Sequence, residues 1–335
     1  MTRPVLGISA LALLQLTLAC APPEQGSDAS QAPGRDAATD ASAPSDGAQS
    51  ADSFTSGDAA LALADHAVTV DAEADGTCTA DSWVAAVQGR VVDEADQGVG
   101  GAMVQLCVRT GGPSGTLLCV RPESSDGVGL FTIQVPQAAR CMVRATLRVL
   151  LPEQDRATSY CELDLVGADG VLALSAPMLL VETHPATALP PLGDTASART
   201  VVFDDGLELD VVPQQFFGGS YDALAARRVD PAAVPLCFVD DPAAFEGLYA
   251  FSPEGDVQSA TYDVRIPNPT DLPVGAAVDL FTLGGLGCHL TDGTTVPEGQ
   301  WARFGTGTVR ADGVIEASGA DGLPCLSWLG YALAP

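Results

Sequence analysis

The chain is 335 residues long with a formal net charge of −28, from 43 acidic residues against 15 basic ones, every basic one an arginine. No cationic surface is available to release counterions from phosphates, so nucleic-acid binding is excluded and docking on anionic lipid head groups is disfavoured. The absence of lysine removes the Walker A lysine, the Schiff base, the Ser-Lys dyad and the SxxK hydrolase site.

At the amino end, Met1-Thr2-Arg3 carries one positive charge. Val5 to Leu18 is apolar apart from Ser9, Gln15 and Thr17, with Gly7 as a further break, and Ala19 precedes Cys20. This is the layout of a secretory signal peptide over 1–19, and its apolar run is too short for a stable bilayer span. Leu16-Thr17-Leu18-Ala19-Cys20 resembles a bacterial lipobox, with Thr17 where leucine is commoner. The resemblance implies diacylation of the Cys20 sulfur, cleavage before Cys20 and acylation of the new amino terminus. Two or three acyl chains hold a protein on a membrane where one is marginal. Ala21 follows the cysteine in place of the aspartate that retains lipoproteins in the inner membrane. The expected address is therefore a lipid-anchored position in a bacterial cell envelope, at the outer membrane.

Residues 20–77 are rich in Ala, Ser, Asp, Gly and Pro, with Phe54 the one aromatic. Such a segment buries too little apolar surface to offset its chain entropy, and the composition predicts a disordered acidic stalk. Ala59 to Val70 is more apolar and reads as a transient helix. Order is expected from Cys78. Strands are predicted over 83–92, 102–109, 116–121, 129–135, 142–150, 157–166 and 171–174, separated by Gly111-Gly112-Pro113, Asp126-Gly127 and Asp169-Gly170. Many short strands without a helical period indicate a β-sandwich over 78–182.

Gly89-Arg90-Val91-Val92-Asp93, Gly101-Ala102-Met103-Val104, and Ser125-Asp126-Gly127 leading into Phe131-Thr132-Ile133-Gln134-Val135-Pro136 are similar to a carboxypeptidase regulatory-like domain. The likeness covers about residues 83–150 and implies a transthyretin-like sandwich. It departs from the family's pattern in the spacing between the turn and Phe131, and in a long loop at 108–118. Gly101-Ala102 fits a tight turn into a buried strand. Phe131 and Ile133 share one strand face, expected to be the core face.

Pro185, Pro190, Pro191 and Gly193 mark 183–198 as a linker or long crossing loop. A second β-rich module is expected over 199–335, with strands at 200–203, 206–212, 236–239, 247–252, 259–266, 277–283, 301–309 and 326–333, and a short helix over Tyr221 to Arg228. Asn268-Pro269-Thr270 opens a turn and is no glycosylation acceptor, because proline holds the middle position. The tail from Gly305 to Tyr331 loosely resembles repeats of large bacterial surface proteins, which names no activity. The fold class is all-β, with two β-sandwich-like modules after the stalk.

Nine cysteines are present, and setting Cys20 aside leaves Cys78, Cys107, Cys119, Cys141, Cys161, Cys237, Cys288 and Cys325. An even set in an exported chain reads as disulfides, and no CxxC suggests redox or zinc chemistry. Five precede the linker and three follow it, so full pairing requires a bond between the modules. Cys107–Cys119 across a hairpin and Cys288–Cys325 within the second module are the natural pairs. Spacing leaves the remaining connectivity open.

The three histidines, His66, His184 and His289, form no HExxH or HxxE spacing. The zinc peptidase that often accompanies the regulatory-like domain is therefore missing from the chain. Gly218-Gly219-Ser220-Tyr221-Asp222 lacks the last glycine of a nucleophile elbow, and a triad through Ser220 would have to recruit His289. Cys288 and His289 are adjacent on an expected strand and point to opposite faces. The calcium-loop rhythm starting at Asp71 fails at Ser82, where glutamate is required. Asp204-Asp205 and Asp240-Asp241 read as turn residues, with calcium binding left open. The aromatics Phe216, Phe217, Tyr221, Phe245, Tyr249, Phe251, Tyr262, Phe281, Trp301, Phe304, Trp328 and Tyr331 gather after residue 200. They read mainly as core. Phe216 and Phe217 cannot both face one core, which makes them candidate ligand contacts.

The expected function is a non-enzymatic envelope lipoprotein acting as a structural or binding element. It takes no cofactor or metal and meets the membrane through lipid. Its partner is an envelope protein or a glycan. Two other readings are a carbohydrate-binding lipoprotein using second-module aromatics, and a hydrolase whose carboxylates assemble only in three dimensions.

Overall fold

The computed structural model describes residues 78–335 apart from 79, 81, 111–115, 153, 167–168 and 258–259. The signal peptide, Cys20, the stalk, His66 and the start of the Asp71 motif lie outside the described residues. Among the described residues there is no α-helix. Helical turns are single 3-10 turns, and the rest is strand and connection.

The first module contains β1 (Trp83–Val92), β2 (Met103–Thr110), β3 (Thr116–Cys119), β4 (Glu123–Ser124), β5 (Leu130–Gln134), β6 (Arg144–Leu150), β7 (Ser159–Glu162), β8 (Asp169–Ala173) and β9 (Met178–Leu179). One sheet has the order β5-β1-β8, with β9 also on β1. The other runs β3-β2-β6-β7, with β4 on β2. Alternation along each strand supplies the shared core, where Val87, Val91, Phe131 and Ile133 of one sheet meet Val104, Leu106, Leu147 and Val149 of the other. Phe131 and Ile133 are both buried, as their spacing predicts. The turn before them is held by Asp126, whose Oδ1 accepts from the amides of Val128 and Leu130. The left-handed residue there is Gly129 (φ 85°) rather than Gly127, and a Cβ on it would lie 2.1 Å from the Val91 carbonyl oxygen.

The second module contains β10 (His184–Pro185), β11 (Arg199–Val202), β12 (Glu208–Val211), β13 (Phe216–Phe217), β14 (Ala225–Val229), β15 (Gly247–Val257), β16 (Asp263–Pro267), β17 (Ala277–Leu283), β18 (Trp301–Val309), β19 (Val314–Ala317) and β20 (Cys325–Leu333). They form one sheet in the order β10-β14-β15-β20-β17-β18-β19-β16-β12-β11, with β13 on β15. β18 pairs with β17 along nearly its whole length but with β19 only at Thr308 and Val309. The sheet folds over itself at that seam. Tyr249, Phe251, Leu329 and Tyr331 of one layer share a core with Leu209, Val264, Ile266 and Ile315 of the other.

Three local expectations differ from the structure. Tyr221 to Arg228 is not a helix but one 3-10 turn at Tyr221–Ala223 followed by β14. Alanine favours a helix, yet pairing with β15 buries Ala225, Ala226 and Val229, and that packing overrides propensity. The run 236–239 is no strand. Leu236 and Phe238 are still buried, as isolated anchors after Pro235. The 183–198 stretch lies along the second sheet: β10 pairs with β14, and Ala188 bridges Val202 in both directions.

The disulfides are Cys78–Cys141, Cys107–Cys119, Cys161–Cys237 and Cys288–Cys325. The bond that the cysteine count requires between modules is Cys161–Cys237.

Candidate functional site

Charged and aromatic side chains converge where the two modules meet. One apolar cluster draws Val92, Ala157, Tyr160, Leu179 and Val181 from the first module. From the second come Val229, Leu236, Phe238, Leu248, Ala250, Leu283 and Trp328. Of these, Leu248, Ala250, Leu283 and Trp328 come from the opposite face of β15, β17 and β20 to the one that fills the sandwich core, so those strands are buried on both sides. Trp328 is fully buried, and its indole Nε1 donates to the Thr158 carbonyl of the first module at 2.8 Å. Phe238 stacks edgewise on it at 4.9 Å.

Around this cluster, arginines of the first module reach carboxylates of the second. The β15–β20 register breaks between Ala250 and Gly255. The bulge so formed carries Glu254 out toward the first module. Arg148 donates to Glu254 Oε2 from Nη2 at 2.9 Å and from Nε at 3.2 Å. The Tyr160 hydroxyl donates to Oε1, and the Leu286 amide donates to the same oxygen at 3.1 Å. Burial first, and then the Glu254 charge, pushes the Tyr160 phenol well above its ordinary range. Burial opposes the Arg148 charge, but Glu254 and Tyr160 outweigh it and the net shift is upward. A Cβ at Gly285 would lie 2.2 Å from Glu254 Oε1, so a side chain there would displace the carboxylate from its partners.

Glu298, almost fully buried, accepts from Arg109 Nη2 at 2.9 Å and Nε at 3.1 Å. Its own carbonyl accepts from Thr146 Oγ1 at 3.2 Å. Arg227 pairs with Glu94, and Gln300 donates to Glu162, both across the same boundary. The two desolvated pairs, Arg109–Glu298 and Arg148–Glu254, add little net stability but are costly to break by removing one partner.

Elsewhere arginine serves one module at a time. Arg265 of β16 grips Glu208 at 2.7 Å and Asp210 at 3.0 Å on β12. Its hydrogen bond lowers the Asp210 carboxyl pKa below the ordinary value, despite partial burial. A depressed carboxylate contributes stability above its unfolded pKa and loses it as pH falls through the folded one. Asp210→Asn is therefore expected to cost roughly 1 kcal/mol at neutral pH. That difference should shrink as pH falls below the ordinary aspartate range and close only once pH has passed below the depressed folded pKa, read as converging urea midpoints of the two proteins.

A second feature is an open cleft of about 790 Å³ whose lining includes Asp256, Thr261, His289, Leu290, Thr291 and Gly319. Burial raises the Asp256 carboxyl, with His289 and the backbone of Val257 partly offsetting it.

The residues singled out from sequence divide as follows. Phe216 is buried over Gly255, and Phe217 is 44% exposed. Most other late aromatics enter the sandwich core or the junction, with Phe245, Phe281 and Trp301 half-buried in one ring cluster. Cys288 is disulfide-bonded, and no hydrogen bond joins Ser220 to His289 among the described residues. Asp204-Asp205 occupies a turn, and Asp241 caps a 3-10 turn through the Ala243 amide. His184 lies 3.4 Å from Asp204 at the surface. No group of His, Cys, Asp or Glu suited to a metal ion occurs among the described residues.

Sequence reasoning missed Glu254 and Glu298. The break Ser252-Pro253-Glu254-Gly255 within an apolar strand was the available signal for a bulge.

No family model and no curated protein matches the chain. Among solved structures it is similar to BcpA, the major pilin subunit of Bacillus cereus, at 13% identity, covering 72% of this chain and 85% of the pilin with a TM-score of 0.19. A substituted form of that pilin matches at 12% identity with the same coverage and score. At that score the likeness carries no functional argument.

Proposed function

We propose that the chain is a non-catalytic lipoprotein of the bacterial cell envelope, anchored through Cys20 and acting as a rigid two-module structural or binding element at the outer-membrane surface. The observation that carries this reading is the junction. Its carboxylates, Glu254 and Glu298, are each engaged by arginine forks from the other module, so its charged groups saturate one another instead of converging on an open cavity. A general acid or base needs a carboxyl free to reach substrate, and these two are committed to holding the modules together. The first module, with its regulatory-like motifs, then serves as the scaffold between anchor and second module.

Growth with an alkyne fatty acid tests the anchor. The wild-type chain is expected to take up label and sediment with membranes, and Cys20→Ser to do neither. Unlabelled wild-type protein, or a Cys20→Ser chain that stays on the membrane, would contradict the proposal.

A further inference from the structure

The segment between β14 and β15, residues 230–246, crosses the module junction as a strap and carries no strand. Between Pro231 and Phe245 its backbone hydrogen bonds close its own turns: Ala233 donates to Asp230, Val239 to Leu236, Ala244 to Asp241 and Phe245 to Pro242. Leu236 and Phe238 anchor it by burial in the apolar cluster that both modules share, and the Phe238 carbonyl accepts from the Trp301 indole at 2.8 Å. Between these two anchors Cys237 bonds to Cys161 of the first module. A segment held without a backbone ladder opens more readily than the laddered strands beneath it.

The disulfide on this strap is also the accessible one. Cys237 is exposed, alone among the eight bonded cysteines; Cys107, Cys161, Cys288 and Cys325 are buried, and Cys78, Cys119 and Cys141 are half-buried. Thiol–disulfide exchange needs a thiolate to reach one sulfur of the pair, so access ranks the four bonds. The exposed half of Cys161–Cys237 sits on the strap and the buried half on β7.

We propose that Cys161–Cys237 is an exchange site for a dithiol reductant, and that its reduction releases the strap while both sandwiches stay folded. One thiolate of the dithiol attacks Cys237 Sγ and forms a mixed disulfide, and Cys161 Sγ leaves and takes up a proton. The second thiolate of the reductant then displaces Cys237 Sγ, which is protonated in turn. Two electrons pass to the protein: Cys161 and Cys237 end as thiols and the dithiol as a disulfide. The released strap uncovers Trp328 and Trp301, the rings against which Phe238 packs, so the reduced form presents an apolar face that the oxidised form hides. The Arg109–Glu298 and Arg148–Glu254 pairs and the Trp328 bond to Thr158 lie outside the strap and stay. This adds a regulated state to the two-module element proposed above, and it rests on that junction and not on the Cys20 anchor.

The test is reduction of the full chain in detergent with dithiothreitol in native buffer, trapping of free thiols with N-ethylmaleimide and peptide mapping. Cys161 and Cys237 are expected to be labelled at least about tenfold faster than the other bonded cysteines. Hydrogen exchange of the protein reduced at that bond should show the amides of 231–245 losing protection at least about tenfold, with those of β2, β6, β15 and β20 unchanged. A chain carrying Cys161→Ala and Cys237→Ala should give the same exchange pattern without reductant. Cys20→Ser, which removes the anchor, should leave the labelling order unchanged, so the two proposals fail separately. The inference is overturned if another pair is labelled first, if all the bonded cysteines are labelled together, if the strap keeps its protection once Cys161 and Cys237 are thiols, or if the sandwiches lose theirs along with it.

Discussion

Glu254→Ala is expected to destabilise the folded chain by about 3–5 kcal/mol, because it leaves Arg148 desolvated without its counter-charge. The side chains of Arg148 and Glu254 are 20% and 10% exposed, so little water is on hand to replace the lost carboxylate. The Tyr160 hydroxyl loses its acceptor in the same step, and the Leu286 amide keeps only the Tyr160 oxygen at 3.2 Å. Glu254→Gln keeps the shape and part of the hydrogen bonding, and should cost less, about 1–3 kcal/mol. Replacing Arg148 and Glu254 together with apolar residues should cost less than the sum of the single changes, since no lone buried charge remains. Urea unfolding of the wild type, the single apolar replacements of Arg148 and of Glu254, and the double replacement measures this coupling. Additive costs for the pair would show that Arg148 and Glu254 do not act as a unit.

Trp328→Ala should cost a comparable amount, about 3–5 kcal/mol, by opening a cavity at the centre of the junction. Two losses combine there. The indole is fully buried against Phe238, and its N–H satisfies the Thr158 carbonyl, so removing it leaves a void and an unpaired acceptor. Trp328→Phe fills most of the void and isolates the hydrogen bond, with an expected cost of about 1–3 kcal/mol. A near-neutral Trp328→Ala, measured by the same urea titration, would mean that the modules are held together without this contact.

The sandwich of the first module was legible because its strands alternate and its turns carry their own chemistry. Val91, Phe131 and Ile133 fall on one face by period alone, and Asp126 announces the turn that precedes them. In the second module Trp301–Val309 was legible by alternation and Cys325–Leu333 as a continuous apolar run, whereas short pairings such as Phe216–Phe217 and His184–Pro185 were not. A two-residue strand has no period of its own and exists only because a partner lies beside it. The helix expected at Tyr221 to Arg228 failed because alanine fits either state and pairing with β15 decides.

The junction divides in the same way. Cysteine parity alone required a bond between modules, and Cys161–Cys237 supplies it. Glu254 and Glu298 could not be placed, because their partners Arg148 and Arg109 lie 106 and 189 residues away in sequence. Phe216 and Phe217 were separable into one buried and one exposed ring by alternation, but not which was which. That depended on the core reaching Val257, the cross-strand partner of Phe216.

The most direct test that the two modules form one mechanical body is hydrogen exchange read by mass spectrometry along a urea titration, with disulfides intact. Peptides from β2 and β6 report the first module, and peptides from β15 and β20 report the second. A single coincident transition, moved equally in both sets by Glu254→Ala, is the predicted result. Two separate transitions, with Glu254→Ala displacing neither, would contradict it.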